Sequence, residues 1–197
     1  MARTLGLRYL DTGAMYRAQT WWVLACGVDV TDSDEIAALA NRPRLEISTD
    51  PDDPWVRVDN QDVTHEIRTR EVTMSVSAVA RVPEVRAHLI AQQRAIIAAA
   101  TPGIVAEGRD IGTVVAPEAD VKVYLTADSG ARAARHAADQ GTSVSQTESD
   151  QARRDRLDAA QSAMADDAIL LDSTDLTLDE VIAAIVDLTR RIPEKAR

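Results

Sequence analysis

Three short aliphatic runs constrain the fold of this chain more than any other feature: "GIVAEG" (Gly103–Gly108), "VKVYLTA" (Val121–Ala127) and "AILLDS" (Ala168–Ser173). Each is short and continuous and is set between helical patterns. Such runs read as buried strands of a parallel sheet, with the intervening helices as crossovers. A fourth short strand is expected at Leu7–Leu10. The pattern predicts an α/β sheet covered on both faces. In such sheets ligands bind beyond the carboxyl ends of the strands. That rule sorts the polar residues: Asp11-Thr12-Gly13, Glu107-Gly108-Arg109-Asp110, Thr126-Ala127-Asp128 and Asp172-Ser173 each follow a strand and are expected along one edge.

Between the strands, Ala14–Ala25 reads as a helix with a broad apolar face, closed by Gly27. Thr31 or Ser33 is expected to cap a short helix over Asp34–Asn41. The alternating runs Arg44–Ser48 and Trp55–Val58, with turn residues between them and again at Asp59–Gln61, predict a small antiparallel meander. Arg70–Ala100 is helical with a break at Pro83, which suits the first position of a second helix. Further helices are expected at Ser129–Gln140, ended by Gly141, at Glu148–Ala163, and at Leu178–Arg190, which is acidic at its start and basic at its end as the helix dipole favours.

The length of 197 residues suits one domain, or one domain with a subdomain insert. The hydrophobic fraction is 45%, with 3% aromatics and no Phe, so the core must be aliphatic. A net charge of −10 argues against nucleic-acid polymers and anionic membranes as partners. The only lysines are Lys122 and Lys195; the other cations are arginines, which clamp phosphate and carboxylate at two points, although a high-GC codon bias would give the same excess. Cys26 is the sole cysteine, no apolar run reaches membrane-spanning length, and the first residues lack the pattern of an export signal, so a cytoplasmic location is expected. His65, His88 and His136 show no metal-ligand spacing, and no metal site is expected.

Two stretches concentrate chemistry. "RYLDTGAMYR" gathers a hydroxyl, a phenol and a guanidinium within two turns after a strand. "EGRDIGTVV" sets Arg109 and Asp110 directly after another: an arginine there can grip a phosphate and an aspartate can accept from an amino group or a sugar hydroxyl. Taken alone, the same pair reads rather as a salt-bridged loop supporting the sheet edge. In "ARRDRLD", Arg154 and Asp158 are four apart on one helix face, which also fits a solvated helix with ion pairs. Arg135, alone, reads as a surface arginine.

In order, "YLDTGAMYR", "DVTHEIRTREVTMSVSAVARVPEVR", "EGRDIGTVVAPEADVKVYLTA", "RRDRLD" and "ADDAILLDST" resemble the pattern of bacterial cytidylate kinases, which are P-loop nucleoside monophosphate kinases. The resemblance runs from about Arg3 to the final helix. It implies one nucleoside-monophosphate-kinase-like domain over residues 1–197: a parallel sheet flanked by helices, a small antiparallel β insert at about 44–77 on the CMP side, and a lid region at about 135–163. It implies that Thr12 lies near the base, that Tyr16 and Arg17 pack on the nucleoside and grip its phosphate, and that Ser77 and Arg109 recognise cytosine. Arg86 belongs by the same resemblance to the CMP site, Asp110 to base recognition and Asp158 to the pentose. Arg154 is similar to a lid arginine that reaches the phosphates, and Arg135 to the lid-base arginine on the ATP side. The implied reaction moves a phosphoryl group from ATP, accompanied by Mg²⁺, to CMP or dCMP, in a monomer. Such transfer is mostly positioning and charge stabilisation, which convergent arginines supply.

Two departures qualify the expectation. The 197 residues contain no G-x-x-x-x-G-K-[ST] run, the loop that holds ATP phosphates. Gly103 and Gly108 have its spacing, but an apolar strand lies between them and Arg109-Asp110 follows. "ARTLGLRYLDTG" resembles the end of the helix that follows that loop in the family. The expectation is therefore an N-terminally truncated member without the first central strand and the P-loop, with a gap or re-pairing in the sheet and impaired turnover. Second, Gln161 stands about where the family carries a further lid arginine. The alternatives are a non-catalytic CMP-binding domain and an interaction domain of the same fold.

Overall fold

A computed structural model of the chain describes residues 1–140, 144–158 and 161–191; the side chains of 136, 138–140, 144–148, 150 and 154 lie outside that description. The chain divides into two compact units, Gly6–Gly108 and Arg109–Arg197, with the first five residues shared between them. A short helix, α1 (Ala2–Leu5), precedes both.

In the first unit, β1 (Arg8–Asp11) pairs in parallel with β5 (Ile104–Glu107), with Arg8 opposite Ile104 and Asp11 opposite Glu107. The helix α2 spans Thr12–Ala25 and begins two residues before its expected start. The reason is its cap: Asp11 is extended, and its carboxylate accepts from the Ala14 N–H at 2.9 Å. Gly27, at φ +73°, turns the chain away after the last turn. The broad apolar face of α2 serves two cores. Met15 and Val23 pack with Leu10, Ile36, Val79, Val85 and Leu89, while Ala14 and Ala18 pack with Val56, Val58, Val63 and Ile67. α3 (Ser33–Leu39) is capped by Asp32, not by Thr31 or Ser33: the Asp32 carboxylate accepts from the Asp34 and Glu35 N–H groups. Thr31 instead donates its hydroxyl to Asp29 at 2.8 Å.

The expected meander is present as β2 (Leu45–Ile47), β3 (Val56–Val58) and β4 (Gln61–Asp62). Asp59 and Asn60, at φ +48° and +67°, make its second turn, the hairpin geometry that Asp and Asn tolerate best after Gly. A 3₁₀ turn (Glu66–Arg68) leads to α4 (Arg70–Val79) and α5 (Pro83–Ala99), which begins at the proline as expected.

In the second unit, a π-helical turn (Ile111–Val115) precedes β6 (Val123–Thr126), α6 (Ser129–Gln140), α7 (Val144–Asp158), β7 (Ile169–Asp172) and α8 (Leu178–Arg191). β6 and β7 are parallel, with Val123 opposite Ile169 and Thr126 opposite Asp172. Gly141, read as the stop for α6, lies outside the described residues. α7 starts and ends earlier than the expected Glu148–Ala163. A charged helix with no apolar stripe carries no periodicity to mark its ends.

The fold is α/β, with parallel strands flanked by helices and a small antiparallel sheet. The parallel pairing takes the form of two two-stranded ladders, β1–β5 and β6–β7. This corrects the expectation of fully buried strands. Leu10 is fully buried, but β5 is only half-buried, and Leu125 and Leu170 are 54% and 59% exposed. A parallel strand is buried when neighbours cover its edges and helices cover both faces. In a ladder of two, each strand has one strand neighbour among the described residues; on its other edge β1 carries a bond from the Tyr9 N–H to the Thr49 carbonyl oxygen at 3.0 Å.

Candidate functional site

The carboxyl ends of β1 and β5 bring the two notable motifs of the first unit together. Asp11 and Glu107 are register partners, and Thr12 Oγ1 donates to the Glu107 carbonyl oxygen at 2.7 Å. The Tyr9 phenol is hydrogen-bonded to the Glu107 carboxylate, and Arg68 Nη2 lies 3.9 Å from Asp11 Oδ2. Burial, followed by the neighbouring Glu107 charge, pushes the Tyr9 phenol far above its ordinary range, so it stays protonated. Burial also pushes the Glu107 carboxyl up, although the bond from Tyr9 works the other way and one side of the residue reaches solvent.

From there α2 and α4 carry the acceptor-side candidates. Thr12 is buried in the first turn of α2, and Tyr16, one turn on, packs against the main core. Arg17 Nη1 donates to Thr73 Oγ1 on α4 at 3.0 Å. Ser77, one turn beyond Thr73, is buried, and its Oγ has no hydrogen-bond partner among the described residues. A buried hydroxyl left unpaired costs about 1–3 kcal/mol, so native structures keep one mainly where something else is to meet it. Arg86 is half-buried in the first turn of α5.

The remaining candidates belong to the second unit. Arg109 takes the salt-bridged form of its two sequence readings. Its Nη1 donates to Ser162 Oγ at 3.2 Å, and its Nη2 lies 3.4 Å from Asp158 Oδ2 and 3.8 Å from Asp155 Oδ1. Arg132 Nη1 donates to the other Asp155 oxygen at 2.7 Å. Asp158 is 9% exposed at the end of α7, and Asp110 is 6% exposed at the mouth of the π-helical turn. π-helical turns of this kind recur at functional sites. Arg135 is taken up by the loop after β7. Its Nη2 donates to the Ser173, Thr174 and Leu176 carbonyls at 2.6, 3.1 and 3.1 Å, and its Nη1 to Ser173 Oγ. Arg154 falls in α7, and its side chain lies outside the described residues. Lys122, just ahead of β6, grips both oxygens of Asp167 at 2.6 and 2.7 Å.

Thus Thr12, Tyr16, Arg17, Ser77 and Arg86 belong to one unit, and Arg109, Asp110, Asp158 and Arg135 to the other. Sequence reasoning singled out no role for Glu107, Tyr9, Arg68, Arg132 or Ser162. Glu107, Tyr9 and Arg68 stand inside the quoted motifs without a role of their own there; Arg132 and Ser162 become visible only through tertiary contacts. An open concavity of about 380 Å³ lies in the insert, lined by Asp53, Pro54, Trp55, Arg57, Asp62, Thr64 and His65, with Arg57 stacked 4.5 Å from the Trp55 ring centre. It contains none of the candidate residues and is lined by polar, open surface, so the side-chain networks locate the chemistry better than the hollow does. Among the described residues, no group of three or more His, Cys, Asp or Glu side chains is placed to hold a metal, and no helix is long and apolar enough to cross a membrane.

Comparison with known proteins supplies the family context for this geometry. A family model described as cytidylate kinase matches residues 1–191. The chain is 51% identical to the cytidylate kinase of Streptomyces griseus, over 95% of this chain and 84% of that protein. It is 49% identical to that of Nocardia farcinica, over 92% and 82%, and 42% identical to that of Mycobacterium avium, over 100% and 90%.

Proposed function

Because the chain belongs to the cytidylate kinase family, we propose that its acceptor is CMP or dCMP and its donor ATP, with CDP or dCDP and ADP as products. The observation that carries the acceptor assignment is the set on α2 and α4. Arg17 is held by Thr73, and the buried, unpartnered Ser77 Oγ lies one helical turn further along α4. A guanidinium for a phosphate and a hydroxyl without a partner for a base edge are the two features a nucleoside monophosphate needs. Thr12 and Tyr16 line the same side of α2, and Arg86 joins them in the same unit. Arg109, Asp110 and Asp158 contribute base and pentose recognition, while Arg154 and Arg135 are the arginines of the donor side. Holding them in place supplies most of the catalysis for a reaction dominated by positioning and charge.

Mg²⁺ enters with ATP. The described residues offer no three-ligand cage, and this cation is commonly held by substrate phosphates, waters and one or two carboxylates. The 197 residues also hold no G-x-x-x-x-G-K-[ST] run, so the donor phosphates lack a lysine and a backbone cradle within this chain. We therefore assign this polypeptide CMP binding with weak ATP binding and low turnover, as a cytoplasmic monomer. Calorimetry with CMP, dCMP, UMP and ATP, beside a coupled ADP-release assay, tests the reading. CMP binding with little ADP release is expected. Ordinary turnover would remove the impairment, and binding of neither nucleotide would remove the acceptor assignment.

A further inference from the structure

Four charged side chains meet where the segment after β5 faces α6 and α7. Arg109 and Arg132 contribute two guanidiniums, and Asp155 and Asp158 two carboxylates. Their formal charges cancel. Asp155 is the shared member: one oxygen is bonded to Arg132 at 2.7 Å, and the other faces Arg109 at 3.8 Å. The short contact is therefore with the arginine that carries no substrate role, and the long one is with the arginine assigned to the nucleotide. What holds Arg132 here is its Nη1 bond to Asp155, since its Nε is buried with no hydrogen-bond partner among the described residues. Arg109 remains 42% exposed and is reachable by an incoming anion.

We propose that Asp155 is an internal counter-ion on Arg109, partly drawn off by Arg132, and that the Arg132–Asp155 pair sets how tightly Arg109 takes an anionic ligand group. A phosphate arriving at a neutral cluster makes it anionic unless a carboxylate gives way. Asp155 is the one that can, because Arg132 already holds half of its charge. Asp158 has no second arginine to receive it among the described contacts. Arg132 and Asp155 are thus positioning residues: they act through Arg109. The inference rests on the CMP reading for the identity of the ligand, but not for the arrangement of charges.

The two partners of this ion pair should act in opposite directions, which a structural pin between α6 and α7 would not do. Asp155→Asn removes the competitor and should tighten CMP binding about two- to fivefold, the range of partly exposed ion pairs. Arg132→Gln returns the full Asp155 charge to Arg109 and should weaken binding by a similar factor. Both changes should vanish in an Arg109→Gln background, and Arg132→Lys should restore most of the loss. Weakening by both variants, or an Asp155→Asn effect that survives Arg109→Gln, would overturn the proposal. If the chain takes no CMP, the CMP reading fails, and the same four variants titrated with inorganic pyrophosphate decide this inference by the same signs. Absence of pyrophosphate binding would also overturn it. A thermal-unfolding double-mutant cycle between Arg109 and Asp155 provides a ligand-free check: measurable coupling supports the contact, and zero coupling removes it.

Discussion

The two units of this molecule are held by different forces. In residues 6–108 the candidate side chains ride on helices anchored by aliphatic burial, with Leu10, Met15, Ile36 and Leu89 excluded from water. In residues 109–191 they are fixed by charge: Arg109 against Asp155 and Asp158, Arg135 against three carbonyls, Lys122 against Asp167. There Leu125, Leu170 and Leu178 remain exposed. Apolar packing is not weakened by ionic screening or by the charge of a ligand. Ion pairs near the surface weaken with both. The candidate residues on α2 and α4 are therefore expected to be set before a ligand arrives, and those around α7 to respond to one.

The largest test of this contrast is in the cores. Leu89→Ala should cost about 2–5 kcal/mol in urea unfolding, whereas Leu170→Ala on β7 should stay within about 0.5 kcal/mol. Comparable losses would erase the distinction. Next, Arg135→Gln should cost about 1.5–3 kcal/mol by removing bonds from a charged donor, and should speed hydrogen exchange in the segment between β7 and α8. Unchanged exchange there would mean that the arginine is not what holds it.

A smaller effect separates stability from binding. Ser77→Ala removes an unpartnered buried hydroxyl, so melting should be unchanged or slightly raised, while CMP affinity falls about tenfold if the hydroxyl meets the base. A loss of both would make Ser77 a packing residue. The smallest concerns pH. Glu107 has its folded value raised, so its favourable contribution is complete below the ordinary glutamate range and fades as pH rises through the raised value. Glu107→Gln should show no such fading, and its stability relative to the parent should grow across that window in urea titrations from pH 4.5 to 8. Parallel pH profiles would contradict the assignment.

What was legible in the sequence followed from local rules. Pro83 could only begin a helix, Asp59-Asn60 could make a tight hairpin, and alternation in Trp55–Val58 required a strand. Helix caps were harder, because Asp11 and Asp32 compete with hydroxyl neighbours that are as good by composition. Strand burial was misread because an apolar run records a preference for burial, while the number of neighbouring strands decides how much is met. The motifs around Thr12, Arg17, Ser77 and Arg109 stood out as residue types, but the commitment of Arg135 to carbonyls and of Arg132 to Asp155 depends on segments 38 and 23 positions apart. No spacing rule reaches that far.

The hydroxyl that ties β1 to β5 has one more consequence. A threonine has a single proton to give, and Thr12 has given it to the Glu107 carbonyl at 2.7 Å. Only lone pairs remain. Any ligand group that meets Thr12 in this arrangement must bring its own hydrogen, as an amino group or a sugar hydroxyl does and a bare phosphate oxygen does not. The bond that fastens the sheet end thereby selects the polarity of what Thr12 can greet.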